Sequence, residues 1–285
     1  MRIRFENQYG SFVLSGNGDE IFGVKEIEGL GLPDITLNTV QYAGQEGRET
    51  VSATRNYRTI TISGDIKWQD KDREVRKAMK ILSAPVEVTI YVGNRKRRCS
   101  CRCTSFAPPF GKKIYKEFVM QLECDSPYFL DGESTKEKVY HREKYLPLDY
   151  GSYFGTGEKV ISALVQSNHV SNNGDVRAEP SIYIQNTGGT AASGDGIVIH
   201  NETTGQSITL CYQTKKDELV TIDIANRKIY NNSGETLVNY LSDNSYLSDF
   251  WLEEGDNLIS VETNSTAETV VVSCEFYNQY LEAYQ

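Results

Sequence analysis

The residues with the sharpest chemistry in this 285-residue chain are three histidines and six cysteines, and their spacing argues against an enzyme. His141, His169 and His200 stand apart, none in an HExxH or beside a nucleophile in a recognised arrangement, so each reads as a surface or turn residue. Cys99, Cys101 and Cys103 alternate, which in a strand puts three thiols on one face, where they behave as small hydrophobes. A zinc site would ask for two CxxC-type pairs or added histidines, and Cys124 has no partner at chelating spacing. With Cys211 and Cys274, these thiols read as reduced, with no disulfide framework. Asp223, Glu253, Glu254 and Asp256 are possible glycosidase carboxylates, but among 39 acidic residues such pairs arise by chance. No GxxxxGK[ST] phosphate loop exists, and neither Gly155 with Gly157 nor the stretch from Gly188 to Gly196 completes a GxGxxG turn. From Asp243 to Glu254 the chain has the length of an EF-hand loop, but Leu247 replaces an oxygen ligand and the sixth place is not glycine. The expectation is a protein with no catalytic residues, no cofactor and no metal, and hence not an enzyme.

Binding chemistry is better represented. Arg95, Lys96, Arg97 and Arg98 form a dense basic run just after the Gly93-Asn94 turn, which reads as a solvated hairpin end or a contact with an acidic neighbour. A formal charge of -9 speaks against direct nucleic-acid binding. Tyr150, Tyr153, Tyr246 and Trp251 could stack on a sugar, whose C–H face is apolar. Tyr246 and Trp251 are the candidates for that role, with one ring of the Phe250-Trp251 pair expected in the core.

The elements that must position these residues are mostly strands. Tyrosine (18) and glycine (23) beside seven prolines describe a folded, turn-rich β protein. No apolar run reaches the length of a membrane helix, and MRIRFENQYGSF has no apolar signal segment, so neither membrane insertion nor classical secretion is expected. Residues 1–130 carry 20 Lys/Arg against 16 Asp/Glu, whereas 131–285 carry 10 against 23, so the halves differ in kind. The first half reads as short strands, including a long hairpin arm near Tyr42 to Tyr57. One helix is expected from Asp70 to Ser83, with Asp70 or Asp72 as cap, Val75, Ala78, Met79, Ile81 and Leu82 mostly on one face, and Pro85 ending it. Residues 131 to about 175 lack a sustained alternating pattern and read as a boundary, with a strand near Val160 to Gln166. Beyond it, short strands spaced by Gly, Asn, Asp and Ser turns, with no helix between, predict a sandwich.

Taken in order, GNGDEIFGVKEIEGLGLPDI, the arm AGQEGRE with RNYRTITISGDI, the helix, LECDSPYFLDGE, SNNGDVRAEPSIYIQN, IHNETTGQSITL, VTIDIANRKIY and FWLEEGDNLISV resemble the distal tail proteins of long-tailed, non-contractile bacteriophages. One departure is that the family's FWxLxPGxN turn reads FWLEEGDN, with Glu254 in place of proline. The resemblance implies a mainly β fold with two domains. Residues 1–133 would be a ring-forming domain with a long hairpin and one helix, and 134–285 a galectin-like sandwich. It also implies a structural virion protein at the tail tip, assembled in the host cytoplasm. Six copies would form a hub ring joining the tail tube protein to a tail-tip or tail-associated lysin protein, in some phages with receptor-binding proteins. Tyr42, Gln45, Arg48, Arg55 and Tyr57 are the arm residues expected at the ring interface. The alternative is a carbohydrate-binding module that adheres to host cell-wall polysaccharide.

Overall fold

The computed structural model describes residues 1–17, 20–44, 46–67, 71–107, 116–145, 161–187, 196–263 and 270–284. They form two compact units, Met1–Gly132 with Gln279–Gln285, and Glu133–Asn278. The return of the last residues to the first unit has no counterpart in the sequence pattern. No helix among the described residues is long and apolar enough to cross a membrane.

In the first unit the strands are β1 (Arg2–Asn7), β2 (Gly10–Ser15), β3 (Phe22–Glu28), β4 (Ile35–Val40), β5 (Glu49–Arg55), β6 (Arg58–Ile66), β7 (Val86–Val92), β8 (Arg95–Ala107), β9 (Lys116–Cys124) and β10 (Phe129–Asp131), with helix α1 (Lys71–Leu82) between β6 and β7. Seven of them close on themselves in the order β8-β7-β1-β2-β3-β6-β9, because β9 pairs back onto β8. Closure removes the open edges of a sheet. Inside, alternate residues of each strand meet: Phe5 stacks on Phe12 at 4.6 Å, and Phe22 and Phe118 meet edge-on at 6.1 Å, among Ile3, Leu14, Ile60, Ile62 and Met120. At thirteen residues β8 is long enough to serve several neighbours, β7 along one edge and then β10 and β9 in turn along the other. The terminal strand Gln279–Tyr280 pairs with β10.

Helix α1 buries Ala78, Ile81 and Leu82 and half-buries Val75, while Met79 is 43% exposed. Met79 therefore sits on the flank of the expected apolar face. Its C-terminal end is held by Asn7, whose Nδ2 donates to the carbonyls of Ile81 (2.7 Å) and Pro85 (3.2 Å). Asp72 lies in the first turn, and Asp70 lies outside the described residues.

The second unit contains β11 (Thr135–Tyr145), β12 (Ile161–Val165), β13 (Ser167–Asn172), β14 (Ser181–Asn186), β15 (Ile197–Asn201), β16 (Gln206–Leu210), β17 (Leu219–Asp223), β18 (Lys228–Asn231), β19 (Gly255–Thr263) and β20 (Val270–Phe276). One sheet runs β12-β11-β20-β14-β17-β18 and the other β13-β19-β15-β16. Ile182, Val220 and Val272 of the first share one core with Val170, Ile199 and Ile259 of the second, so the unit is the expected two-sheet sandwich. One reading of the sequence is corrected: β11 and β13 lie in the stretch read as a boundary, on either side of β12, where a strand was expected. In β11 the buried residues are Val139 and Tyr140, adjacent rather than alternating at a register shift, so the hydrophobic signal of a strand is absent.

Candidate functional site

β4 and β5 form a two-stranded sheet that pairs with no other strand among the described residues. Nearly every side chain on it is exposed. Strand alternation sorts them by face. Ile35 and Leu37 stand opposite Arg55 and Ala53, whereas Thr36 and Asn38 stand opposite Thr54 and Ser52. On the polar face, Asn38 Nδ2 donates to Ser52 Oγ at 2.9 Å and Asn56 Nδ2 to Thr36 Oγ1 at 2.8 Å. The other face leaves Ile35 and Leu37 roughly half exposed, and Val51, the extra residue of a bulge, is 66% exposed. A lone hairpin is marginal in water, and each aliphatic side chain gains about 1.5 to 3 kcal/mol when fully buried. Burial of Ile35 and Leu37 against a further surface would therefore be favourable.

The sequence places Tyr42, Arg48, Arg55 and Tyr57 on this arm, and all four are exposed there. Gln45 lies outside the described residues. Arg55 also contacts Tyr128, its Nη1 donating to the hydroxyl at 3.4 Å. What the sequence reading missed is the apolar face itself, although the alternation ITLNTV already spells it.

The root of the arm is clamped by Arg58. This guanidinium is buried, and its nitrogens donate to the carbonyls of Gly29 (2.7 Å), Gly31, Pro127 (3.0 and 2.7 Å) and Leu281 (2.7 Å), with Phe129 packed against its plane at 4.2 Å. Burial pulls its pKa down, opposed by the nearby thiols of Cys124 and Cys99. Gly29 is required by its φ of +85° and because a Cβ would meet the Thr59 carbonyl at 2.0 Å. Asn56 N to Asp34 O (2.9 Å) and Ala283 N to Leu30 O (3.0 Å) complete the root.

The basic run is largely engaged within its own unit. Arg97 is buried, pairs with Asp131 at 3.2 Å and lies 3.4 Å from the Tyr280 ring centre, and Arg98 pairs with Glu87 at 3.1 Å. Each histidine has a carboxylate neighbour on its surface, His169 with Asp256 at 2.6 Å, His141 with Glu143 at 3.6 Å and His200 with Glu262 at 4.0 Å. The grouping that the sequence spacing missed is Cys99, Cys101 and Cys124, whose sulfurs lie within 4.8 Å of one another. Register brings Cys124 opposite Cys101, a contact that spacing along the chain does not reveal.

On the sandwich, Tyr246 is 61% exposed and Phe250 is in the core. Trp251 is half-buried and already engaged: Arg177 sits 4.8 Å from its ring centre and Nε1 donates to Glu253 at 2.6 Å. Tyr150 and Tyr153 lie outside the described residues. The turns are held by buried asparagines at strand ends. Asn172, Asn201 and Asn231 each accept a backbone N–H two residues on, from Gly174, Thr203 and Ser233. Asn257 closes the FWLEEGDN turn, donating to Glu253 O at 2.8 Å and accepting from Glu253 N at 2.9 Å, with Gly255 at φ +89°. Glu254 therefore replaces proline without opening the turn. Burial raises the carboxyl of Glu218, but hydrogen bonds from Lys215 N, Tyr212 Oη and Asn231 Nδ2 outweigh it and hold it below the usual range.

Residues 173–280, most of this sandwich, match the family described as siphovirus-type tail component, C-terminal domain. The chain also superposes on the crystal structure of the SPP1 Dit (gp 19.1) protein with a TM-score of 0.64, at 11% identity, over 96% of this chain and 98% of that one. Residues 173–280 carry the C-terminal domain of a siphovirus-type tail component, and the chain as a whole has the fold of the SPP1 Dit protein. The phage P2 baseplate, solved in its activated conformation with calcium and with strontium, contains chains matching this one at TM-scores of 0.52 and 12% identity, again over 96% and 98%. No match emerges among curated proteins. The family match covers most of the sandwich, and the fold match spans 96% of the chain.

Proposed function

We propose that this chain is a phage tail component, a non-enzymatic hub at the tail tip, with residues 1–133 closing six copies into a ring and residues 134–285 forming the outward sandwich. The observation that carries this reading is the arm, whose apolar face and open strand edges fit a neighbouring copy in a head-to-tail, closing contact. The SPP1 Dit protein is described as a paradigm of hub adsorption apparatus in Gram-positive infecting phages, which supports the same role here. The ring would join the tail tube protein to a tail-tip or tail-associated lysin protein and carry receptor-binding proteins in the virion, after assembly in the host cytoplasm. Neither a membrane nor nucleic acid is a direct partner in this reading. Light scattering on the full chain tests it: a mass of six copies is expected, falling to one copy in Leu37→Asp/Val51→Asp with an unchanged far-ultraviolet circular dichroism spectrum. A single-copy mass for the unaltered chain at high micromolar concentration overturns it.

A second reading, adhesion to host cell-wall polysaccharide, rests on the exposed ring of Tyr246. Trp251 supports it less, because Arg177 and Glu253 hold that ring. Polysaccharide retention that is lost in Tyr246→Ala, with the fold intact, is the expected result, and equal retention by both proteins removes Tyr246 from the account.

A further inference from the structure

β9 and β8 are the strands whose pairing closes the barrel, and Cys124 stands in their seam. Across one edge it faces Cys101 of β8, and across the other it faces the cationic Arg58 of β6. The Cys101 and Cys124 sulfurs are 2.6 Å apart, and those of Cys99 and Cys101 are 3.4 Å apart. Unbonded carbon atoms, which are smaller than sulfur, rest about 3.5 to 4.0 Å apart, and a disulfide bond is about 2.05 Å. The Cys101–Cys124 pair is thus nearer to bonding than to contact, which disfavours a metal ion between them: tetrahedral zinc with Zn–S of about 2.3 Å holds its sulfurs well beyond that separation.

We propose that Cys101 and Cys124 form a covalent modification site, a dithiol that hydrogen peroxide converts into a cross-strand disulfide over the barrel seam. Thiol hydrogens from Cys101 and Cys99 and, more weakly, the Arg58 charge hold Cys124 acidic against the effect of burial, while its hydrogen bond with Cys124 holds Cys101 protonated. Cys124 is therefore the nucleophile and Cys101 the resolving thiol. The Cys124 thiolate attacks one peroxide oxygen, the O–O bond breaks, and the departing hydroxide takes up a proton to leave as water, giving a sulfenic acid. The Cys101 sulfur then attacks the Cys124 sulfur, its S–H proton passes to the departing hydroxyl, the S–O bond breaks, and a second water leaves. Two thiols and one peroxide become one disulfide and two waters, the sulfurs supplying two electrons. Cys99, Cys101 and Cys124 are at most 3% exposed, so an oxidant of about the size of water suits the site where a bulky disulfide reagent does not.

The experiment treats the full chain with hydrogen peroxide, alkylates the remaining thiols in denaturant and maps the peptides by mass spectrometry. The expected result is one link joining Cys101 to Cys124, reversed by a thiol reductant, with a higher melting temperature in the linked protein. Cys99→Ser retains the link, and Cys101→Val stops at a Cys124 sulfenic acid that dimedone traps. The proposal is overturned if all buried thiols still alkylate, if the link joins other cysteines, or if one equivalent of zinc binds the three sulfurs and blocks oxidation. If Cys101→Val does not fold, the peptide map of the unaltered chain alone decides.

Discussion

β5 and β6 follow one another in the chain with Asn56 and Tyr57 between them, and both are rich in threonine, serine and β-branched residues. In β6 residues alternate between buried and half-buried, whereas in β5 all seven are exposed. Composition separates them only in part, β6 carrying three isoleucines where β5 has one valine and one alanine. Neighbours complete the difference: β6 is hydrogen-bonded to β3 on one side and β9 on the other, while β5 has only β4 among the described residues. A strand of this composition reaches its burial only when both edges and one face are taken, so the pair shows which part of the chain has its neighbours among the described residues and which part does not.

The largest expected effect lies at the junction of the two strands. Arg58→Met strips donors from the carbonyls of Gly29, Gly31, Pro127 and Leu281 together, and is expected to destabilise the first unit by about 3 to 5 kcal/mol in chemical unfolding. Next, Ile62→Ala in β6 empties a packed site and costs about 2 to 5 kcal/mol, while Val51→Ala in β5 changes the unfolding of the single chain by no more than about 0.5 kcal/mol. Equal losses at the two positions would break the comparison. In the sandwich, Asn257→Ala leaves buried backbone groups of the FWLEEGDN turn without partners, for a loss of about 1 to 3 kcal/mol in the same measurement. The smallest effect is one of pH. Burial, with the Glu218 carboxylate beside it, pushes the Tyr212 hydroxyl up from 10.0 to about 12. Its contribution is fully present below pH 10, where both states are protonated, and is lost as pH rises toward about 12, where the unfolded chain ionises first. Tyr212→Phe is expected to flatten that part of the alkaline stability profile.

Much of this was legible in the sequence because strand alternation and turn residues are local signals. The helix from Lys71, the arm near Tyr42 to Tyr57 and the serial strands of the sandwich all follow from such patterns. Barrel closure was not legible, since β8 and β9 pair through register rather than spacing, and the same register creates the thiol grouping. β11 was hidden because its buried residues, Val139 and Tyr140, are adjacent rather than alternating. The clamp at Arg58 was hidden for another reason. Its acceptors are backbone carbonyls from three distant stretches, and a carbonyl leaves no mark in a sequence.

Hydrogen exchange along β4 and β5 tests the central claim most directly. With the full chain at high micromolar concentration, the outward amides of Glu49–Arg55 are expected to exchange slowly and to become fast on dilution or in Leu37→Asp/Val51→Asp, while β6 stays protected throughout. Fast exchange in β5 at every concentration, beside an unchanged β6, would contradict the claim that a second copy completes the arm.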